Sequence, residues 1–247
     1  RSLPKTPTRP GARLAHRIVD LVPSAELVRF TSSGTETTWH AARIARAATG
    51  RELVVKFEGH FHGFSDSLGY SFWPPRADLG DPAHPAVRPE SAGIPAAERE
   101  AIRVLPWNDL DALRELFAME PGRIAAVVME PINIDSGTIH PAPGYLAAAR
   151  DIVHAHGALL IFDEILTGFR TNPGGAQAEL HVTPDLTTLG KALGGGQALS
   201  AVGGRLSGCP LRLPSISTNA KYQRAHPRPN PSTPSMNLSA TPPPCPP

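Results

Sequence analysis

Two residues 28 positions apart carry the chemistry most readily read from this 247-residue sequence. Asp163 ends the apolar run Leu159-Leu160-Ile161-Phe162 and precedes Glu164, while Lys191 lies in Thr187-Thr188-Leu189-Gly190-Lys191-Ala192-Leu193-Gly194-Gly195-Gly196. An amine and a carboxylate displayed from two strand ends suit a cofactor held by both. Pyridoxal phosphate is the candidate, because its aldehyde needs a lysine for a Schiff base and its pyridinium nitrogen needs an anion to keep it protonated. Each residue also has a plainer reading. An ionised Asp163 behind four apolar residues is costly unless a cation sits beside it, and a pyridinium is one such cation. The alternative is a strand-end aspartate that caps a turn or pairs with Arg170. Lys191 is alternatively a solvated strand-end lysine, although its place between Gly190 and a triple glycine lets backbone approach a ligand closely.

Other polar residues fall at similar places. Phe30-Thr31-Ser32-Ser33-Gly34-Thr35-Glu36 leaves a strand and opens a helix, so its amides, the helix dipole and the Ser33 and Thr35 hydroxyls suit a phosphate. The same pattern also describes an ordinary N-cap with Glu36 complementing the dipole. His60-Phe61-His62-Gly63 follows a strand and a glycine and offers an aromatic face to a cofactor ring. Its two histidines suggest a metal, but no carboxylate or cysteine completes a ligand set nearby, so none is expected. Glu130, before Pro131 at the end of an apolar run, adds a carboxylate that serves either as a cap or in chemistry.

The elements that must position these residues alternate. Periodicity predicts a helix over 12–21, a strand at 27–30, a helix from Thr35 to about Ala48 closed by Gly50, and a strand at 53–57. Residues 70–100, rich in proline and small side chains, read as a long surface loop. Then follow a strand at 102–105, a helix with Asn108 as N-cap, and the wholly apolar strand Ile124–Met129. Such continuous hydrophobicity implies burial on both faces, as in a parallel sheet. A helix over 145–156 and strands at 158–162, 186–189 and 199–202 complete an α/β layered domain. Ligands in open parallel sheets bind beyond the carboxyl ends of the strands, where the polar residues above are found.

Composition bounds the rest. Hydrophobic residues make up 40%, sufficient for a substantial core, and the formal charge of +2 has no dense basic cluster interleaved with aromatics, which argues against nucleic acid as a partner. No stretch approaches the roughly 20 apolar residues that span a bilayer, and the start Arg1-Ser2-Leu3-Pro4-Lys5 lacks the apolar core of a secretory signal, so a cytoplasmic protein with no membrane partner is expected. Cys209 and Cys245 lie in the tail and are not expected to pair. The organisation read here is an irregular segment over 1–10, a domain over 11–205, and a disordered, proline- and serine-rich tail over 206–247. The abrupt change at Leu206 is read as a truncated or frame-shifted coding sequence, with a natural linker as the alternative. A nucleotide-binding module is disfavoured, because no Gly-x-Gly-x-x-Gly follows the first strand and no Walker lysine pattern occurs.

Several motifs in order resemble the class III pyridoxal-phosphate-dependent aminotransferases, nearest to the glutamate-1-semialdehyde aminomutase group, over about Leu14 to Arg205. They are Val28 to Glu36, Ala42 to Arg51, Phe57-Glu58-Gly59, Leu159 to Arg170, and Pro184-Asp185-Leu186 through Lys191 to Gly196. The resemblance implies the large domain of the type I fold, a mostly parallel sheet flanked by helices, and a homodimer with pyridoxal 5′-phosphate near the subunit boundary. It makes Lys191 the Schiff-base lysine and proton carrier, with Asp163 on the ring nitrogen. Gly34 and Thr35, with Ser33, would hold the phosphate, and Phe61 and Ile165 would flank the ring. His62, Glu130 and Asp135 are further candidates. Phe61 stands where the family usually has tyrosine, and Asp135 where an aminomutase usually has asparagine. The family's N-terminal segment, a later phosphate-binding threonine and its C-terminal small domain have no counterpart here. The implied activity is amino-group transfer on a small amino-acid or oxo-acid substrate. The alternative is a catalytically incompetent large-domain fragment that binds cofactor weakly or not at all.

Overall fold

The computed structural model describes residues 8–75 and 79–205, with the backbone of Gln223–Arg224. Helix α1 (Arg9–Leu21) opens on Thr8, whose hydroxyl accepts the Gly11 amide, with Pro10 in the first turn. It begins ahead of the expected Ala12, because a hydroxyl cap and a proline whose missing N–H has no partner to lose both favour a start there. Strand β1 (Leu27–Thr31) and helix α2 (Gly34–Thr49) follow, α2 being closed by Gly50 at φ 67°. After β2 (Leu53–Phe57), the described residues of the predicted long loop include a short hairpin of two-residue strands, β3 (Gly80–Asp81) and β4 (His84–Pro85), and a 3-10 turn over Ala96–Ala101.

Strand β5 (Ile102–Leu105) leads to α3 (Leu110–Met119), whose N-cap is Asp109 rather than Asn108. The Asp109 carboxylate accepts the Ala112 amide at 2.9 Å. Asn108, at φ 66°, instead donates to the His140 carbonyl and accepts the Ala142 amide, bracing two loops. Then come β6 (Ile124–Met129), α4 (Tyr145–Ala155), β7 (Leu159–Glu164), the single turn α5 (Ala176–Glu179), β8 (Leu186–Leu189), β9 (Ser200–Gly204) and β10 (Gln223–Arg224). Two residues of the expected tail thus form β10, paired with Leu27 and Val28. The remainder of 206–247, and residues 1–7, lie outside the described residues.

The main sheet has the order β10-β1-β9-β8-β7-β6-β2-β5. From β8 to β5 every pairing is parallel, while β9 runs antiparallel to both β8 and β1. All six residues of β6 are buried, as its continuous apolar pattern predicts. Side chains alternate across the sheet. On one face Val54, Ala126, Val128, Ile161 and Leu186 pack against Ala41, Ile44 and Ala45 of α2. On the other, Val55, Val127, Leu160 and Phe162 pack against Leu113 and Phe117 of α3 and Leu146 and Val153 of α4. Ala15 and Ile18 of α1 pack with Val28 and Leu189. The parallel strands therefore deliver Phe57, Met129, Glu164 and Leu189 to one edge of the sheet, the edge where such folds bind ligands.

Candidate functional site

The register of β7 on β8 pairs Asp163 with Thr188 and Glu164 with Leu189. Alternation then sends Asp163 to the α2 face and Glu164 to the other. Asp163 is 3% exposed. One carboxylate oxygen, Oδ2, lies 2.8 Å from His62 Nδ1; the other accepts the Thr188 hydroxyl at 2.8 Å and the Ile165 amide at 3.1 Å. Burying a carboxylate costs several kcal/mol. Hydrogen bonds to a charged group return about 1.5–3 kcal/mol each, so this set keeps the anion in place. Of the plainer readings, the turn contact to Ile165 is present, but the hydrogen bonds of Asp163 run to these three residues and not to Arg170.

At the neighbouring strand end, Ser33 caps α2: its hydroxyl accepts the Glu36 amide at 3.1 Å, and the Glu36 carboxylate accepts the Ser32 amide at 2.9 Å. The Ser33 hydroxyl is thereby committed to the helix. Helix geometry leaves the amides of Gly34 and Thr35 without intrahelical acceptors, at the positive end of the dipole. Both residues line the cavity described below, whereas Ser33 does not.

The segment after β2 forms a third wall. His60 Nδ1 accepts the Glu130 amide at 2.9 Å, and Glu130 Oε1 accepts the Phe61 amide at 2.8 Å. Thr38 of α2 donates to the His62 carbonyl at 2.6 Å. Gly63 sits at φ 86° where a Cβ would fall 2.7 Å from the Thr35 Cα, so only glycine lets this segment close on the helix start. Beneath it Lys56, fully buried, donates to the carbonyls of His60 and Tyr70. Burial pulls the Lys56 ammonium down to about 7. Burial, reinforced by the charge of Asp163, pushes the Glu130 carboxyl up to about 8, against the stabilising amides of Phe61 and Ile134. The same desolvation lowers the His62 imidazole, which Asp163 partly offsets.

Lys191 opens a 3-10 turn (Lys191–Gly194) and holds φ 40°, a left-handed conformation unusual for a side-chain-bearing residue and one that structures retain mainly at functional positions. Gly190 before it is required for space: a Cβ there would lie 2.9 Å from both Ile165 Cδ1 and Ser200 Oγ. The glycine thus admits Ile165.

These walls enclose a cavity of about 240 Å³. Asp163, Lys191, Gly34, Thr35, Phe61 and Ile165 all line it, as do His62 and Glu130. Asp135 does not; it is exposed in the turn after Ile134. Sequence reading missed Thr188 and Lys56. Two threonines inside an otherwise apolar strand just before Lys191 were the available signal for Thr188. A lysine inside Leu53-Val54-Val55-Lys56-Phe57 was the signal for a buried cation. The Nδ1 atoms of the i, i+2 histidines have separate partners, that of His60 the Glu130 amide and that of His62 the Asp163 carboxylate.

Residues 2–207 match the family profile described as aminotransferase class-III. The chain is 47% identical over 199 residues to a glutamate-1-semialdehyde 2,1-aminomutase of Rhodopirellula baltica, an alignment covering 81% of this chain and 44% of that protein. Among solved structures it is similar to an omega-transaminase from Sphaerobacter thermophilus, with a TM-score of 0.77 and 38% identity over 82% of this chain and 46% of that one. It is also similar to a structure described as a transaminase with PLP bound, with a TM-score of 0.75 and 29% identity over 85% of this chain and 48% of the other. The chain thus spans just under half the length of these relatives. No helix among the described residues is long and apolar enough to cross a membrane.

Proposed function

This chain belongs to the class-III aminotransferase family, and from that premise we propose that it binds pyridoxal 5′-phosphate in the Asp163–Lys191 cavity and serves amino-group transfer on a small amino-acid or oxo-acid substrate. The observation that carries this reading is that Asp163, Lys191 and the N-terminus of α2 line one cavity. The residues present fit the group. A buried carboxylate with a hydrogen-bonded histidine suits a protonated ring nitrogen, free helix amides suit a phosphate, and an exposed amine suits an aldehyde. When bound, the cofactor supplies an aldehyde that bonds covalently to amines and a ring that accepts the electrons released at a substrate Cα.

The chain's own residues divide the remaining work. The amides of Gly34 and Thr35 hold the phosphate, with Ser33 acting through the cap that fixes them. Phe61 and Ile165 confine the ring between them. Asp163, oriented by His62 and Thr188, keeps the proton on the ring nitrogen. Lys191 Nζ would hold the cofactor through its aldehyde and would also be the base placed to take the substrate Cα proton and return it. The function is proposed for the chain as a homodimer in the cytoplasm, with the cavity near the subunit boundary. Support for a small amino-acid-type substrate comes from the name of one relative, a glutamate-1-semialdehyde 2,1-aminomutase.

The test is a visible absorbance titration of the purified chain with pyridoxal phosphate, followed by borohydride reduction and peptide mass spectrometry. A saturable band and a pyridoxyl group on Lys191, both lost in Lys191→Ala, are the expected result. No band and no trapped adduct in the unmodified chain would overturn it, in favour of a chain that holds the cofactor weakly or not at all.

A further inference from the structure

His60 and His62 have ring centroids 6.0 Å apart and planes tilted by 52°. Both rings are buried, and the Nε2 atom of each lacks a hydrogen-bond partner among the described residues. Their tautomers follow from their other nitrogens. A backbone amide can only donate, so His60 Nδ1, which accepts the Glu130 amide, carries no proton. Desolvation holds the His60 ring well below its ordinary value and therefore neutral, which leaves its single proton on Nε2. At His62 the opposite holds: Nδ1 faces the Asp163 carboxylate at 2.8 Å and carries the proton, so a neutral ring presents a bare lone pair at Nε2.

One orphan is thus a donor and the other an acceptor. Leaving both unmet in a site walled by Phe57 and Trp107, whose rings lie 5.5 and 4.5 Å from that of His60, would carry the desolvation penalty of each group with no return. A single water, bent at its oxygen, joins two nitrogens about 4.5 Å apart with normal hydrogen-bond lengths. Ring centroids 6.0 Å apart bring the two Nε2 atoms within that span when their edges turn towards each other.

We propose that a buried water bridges His60 Nε2–H and His62 Nε2, and that His60 is a positioning residue acting through it. The chain of donors then runs in one direction, from the Glu130 amide through His60, the water and His62 to Asp163. Each bond polarises the next, and the water's donation fixes the His62 tautomer that points a proton at Asp163. The role of Asp163 towards a cofactor rests on the function proposed above, but the tautomers do not.

Nitrogen-15 NMR of the histidine side chains, on the full chain without cofactor, reads them directly and so fails or succeeds independently of cofactor binding. The expected spectrum has His60 protonated on Nε2 and His62 on Nδ1, with the His62 Nε2 signal shifted as for a hydrogen-bonded lone pair. In His60→Phe that signal moves to the position of a free lone pair, and His60→Gln, whose amide can donate, moves it back. His62 protonated on Nε2, or a His62 signal indifferent to His60→Phe, overturns the proposal. If the variants do not fold, high-resolution diffraction of the unaltered chain decides: density for a water within hydrogen-bond reach of both Nε2 atoms supports the bridge, and its absence overturns it.

Discussion

Asp163 and Glu164 are neighbours on β7, both buried, yet they belong to two different regions of the molecule. Glu164 faces the opposite side of the sheet from α2, and its two oxygens are consumed within the fold. Oε2 accepts the Thr167 hydroxyl and the Ala176 amide, and Oε1 accepts the Gln177 amide and side-chain amide. Gln177 carries the network on to Thr187 and to the Ser24 amide. A Cβ on Gly175 would fall 2.3 Å from Glu164 Oε2, so the chain closes directly over this carboxylate. Asp163 faces the α2 side, where its partners are the His62 and Thr188 side chains and the Ile165 amide, and the walls open into a cavity shared with Lys191. Two carboxylates, adjacent in sequence and alike in burial, therefore differ in what surrounds them. One is a brace within the fold and the other borders an open cavity.

The sharpest way to break this contrast is to remove each carboxylate and read both stability and activity. Glu164→Ala leaves several buried donors unmet at about 1–3 kcal/mol apiece, so denaturant unfolding should show a loss of about 4 kcal/mol. A loss below about 1 kcal/mol would show that the network is not holding α5 to β7. Asp163→Asn should still take up pyridoxal phosphate but lose about 100-fold or more in amino-transfer rate, the scale of deleting one charged contact at a reacting centre. An unchanged rate would remove Asp163 from the site. Thr188→Val, which deletes one hydroxyl donor without changing shape much, should cost about 1 kcal/mol and slow transfer by roughly tenfold or less.

The smallest effect is one of pH. The folded Glu130 carboxyl, pushed up to about 8, holds its proton where an unfolded glutamate near 4.5 has lost it. Its contribution to stability is therefore full below about 4.5 and declines as pH rises towards 8. Glu130→Gln should flatten that decline in pH-dependent unfolding curves. Lys56, pulled down to about 7, gives the opposite slope, with stability falling as pH drops from 10.5 towards 7. A variant curve parallel to the parent between pH 5 and 8 would show that Glu130 titrates normally.

Much of the site was legible along the chain. Lys191 between glycines, Asp163 after an apolar run, and Gly34-Thr35 at a helix start are local patterns, and local patterns survive in sequence. The strand at Ile124–Met129 was legible because burial on both faces removes the polar alternation that would otherwise mark a surface. Other assignments depended on competition between neighbours that propensity cannot rank. Asn108 and Asp109 are both good caps, and only the loops at His140 and Ala142, which claim the Asn108 amide group, leave the cap to Asp109. Ser33 satisfies the rule for a phosphate ligand and for a helix cap equally well, and the Glu36 amide takes its oxygen.

The sequence by itself determined the alternation of helix and strand, the strand ends that bear the amine and the acid, and the glycines that let backbone crowd together. These follow from periodicity, from the cost of burying charge and from backbone sterics, all of which act over a few residues. Only the tertiary structure decided that His62 rather than Arg170 bonds Asp163 and that Thr188 lies beside it through parallel register. It likewise decided that Asp135 stands outside the cavity. Contacts between residues 25 to 101 positions apart are set by how strands order in the sheet, and no short window of sequence contains that order.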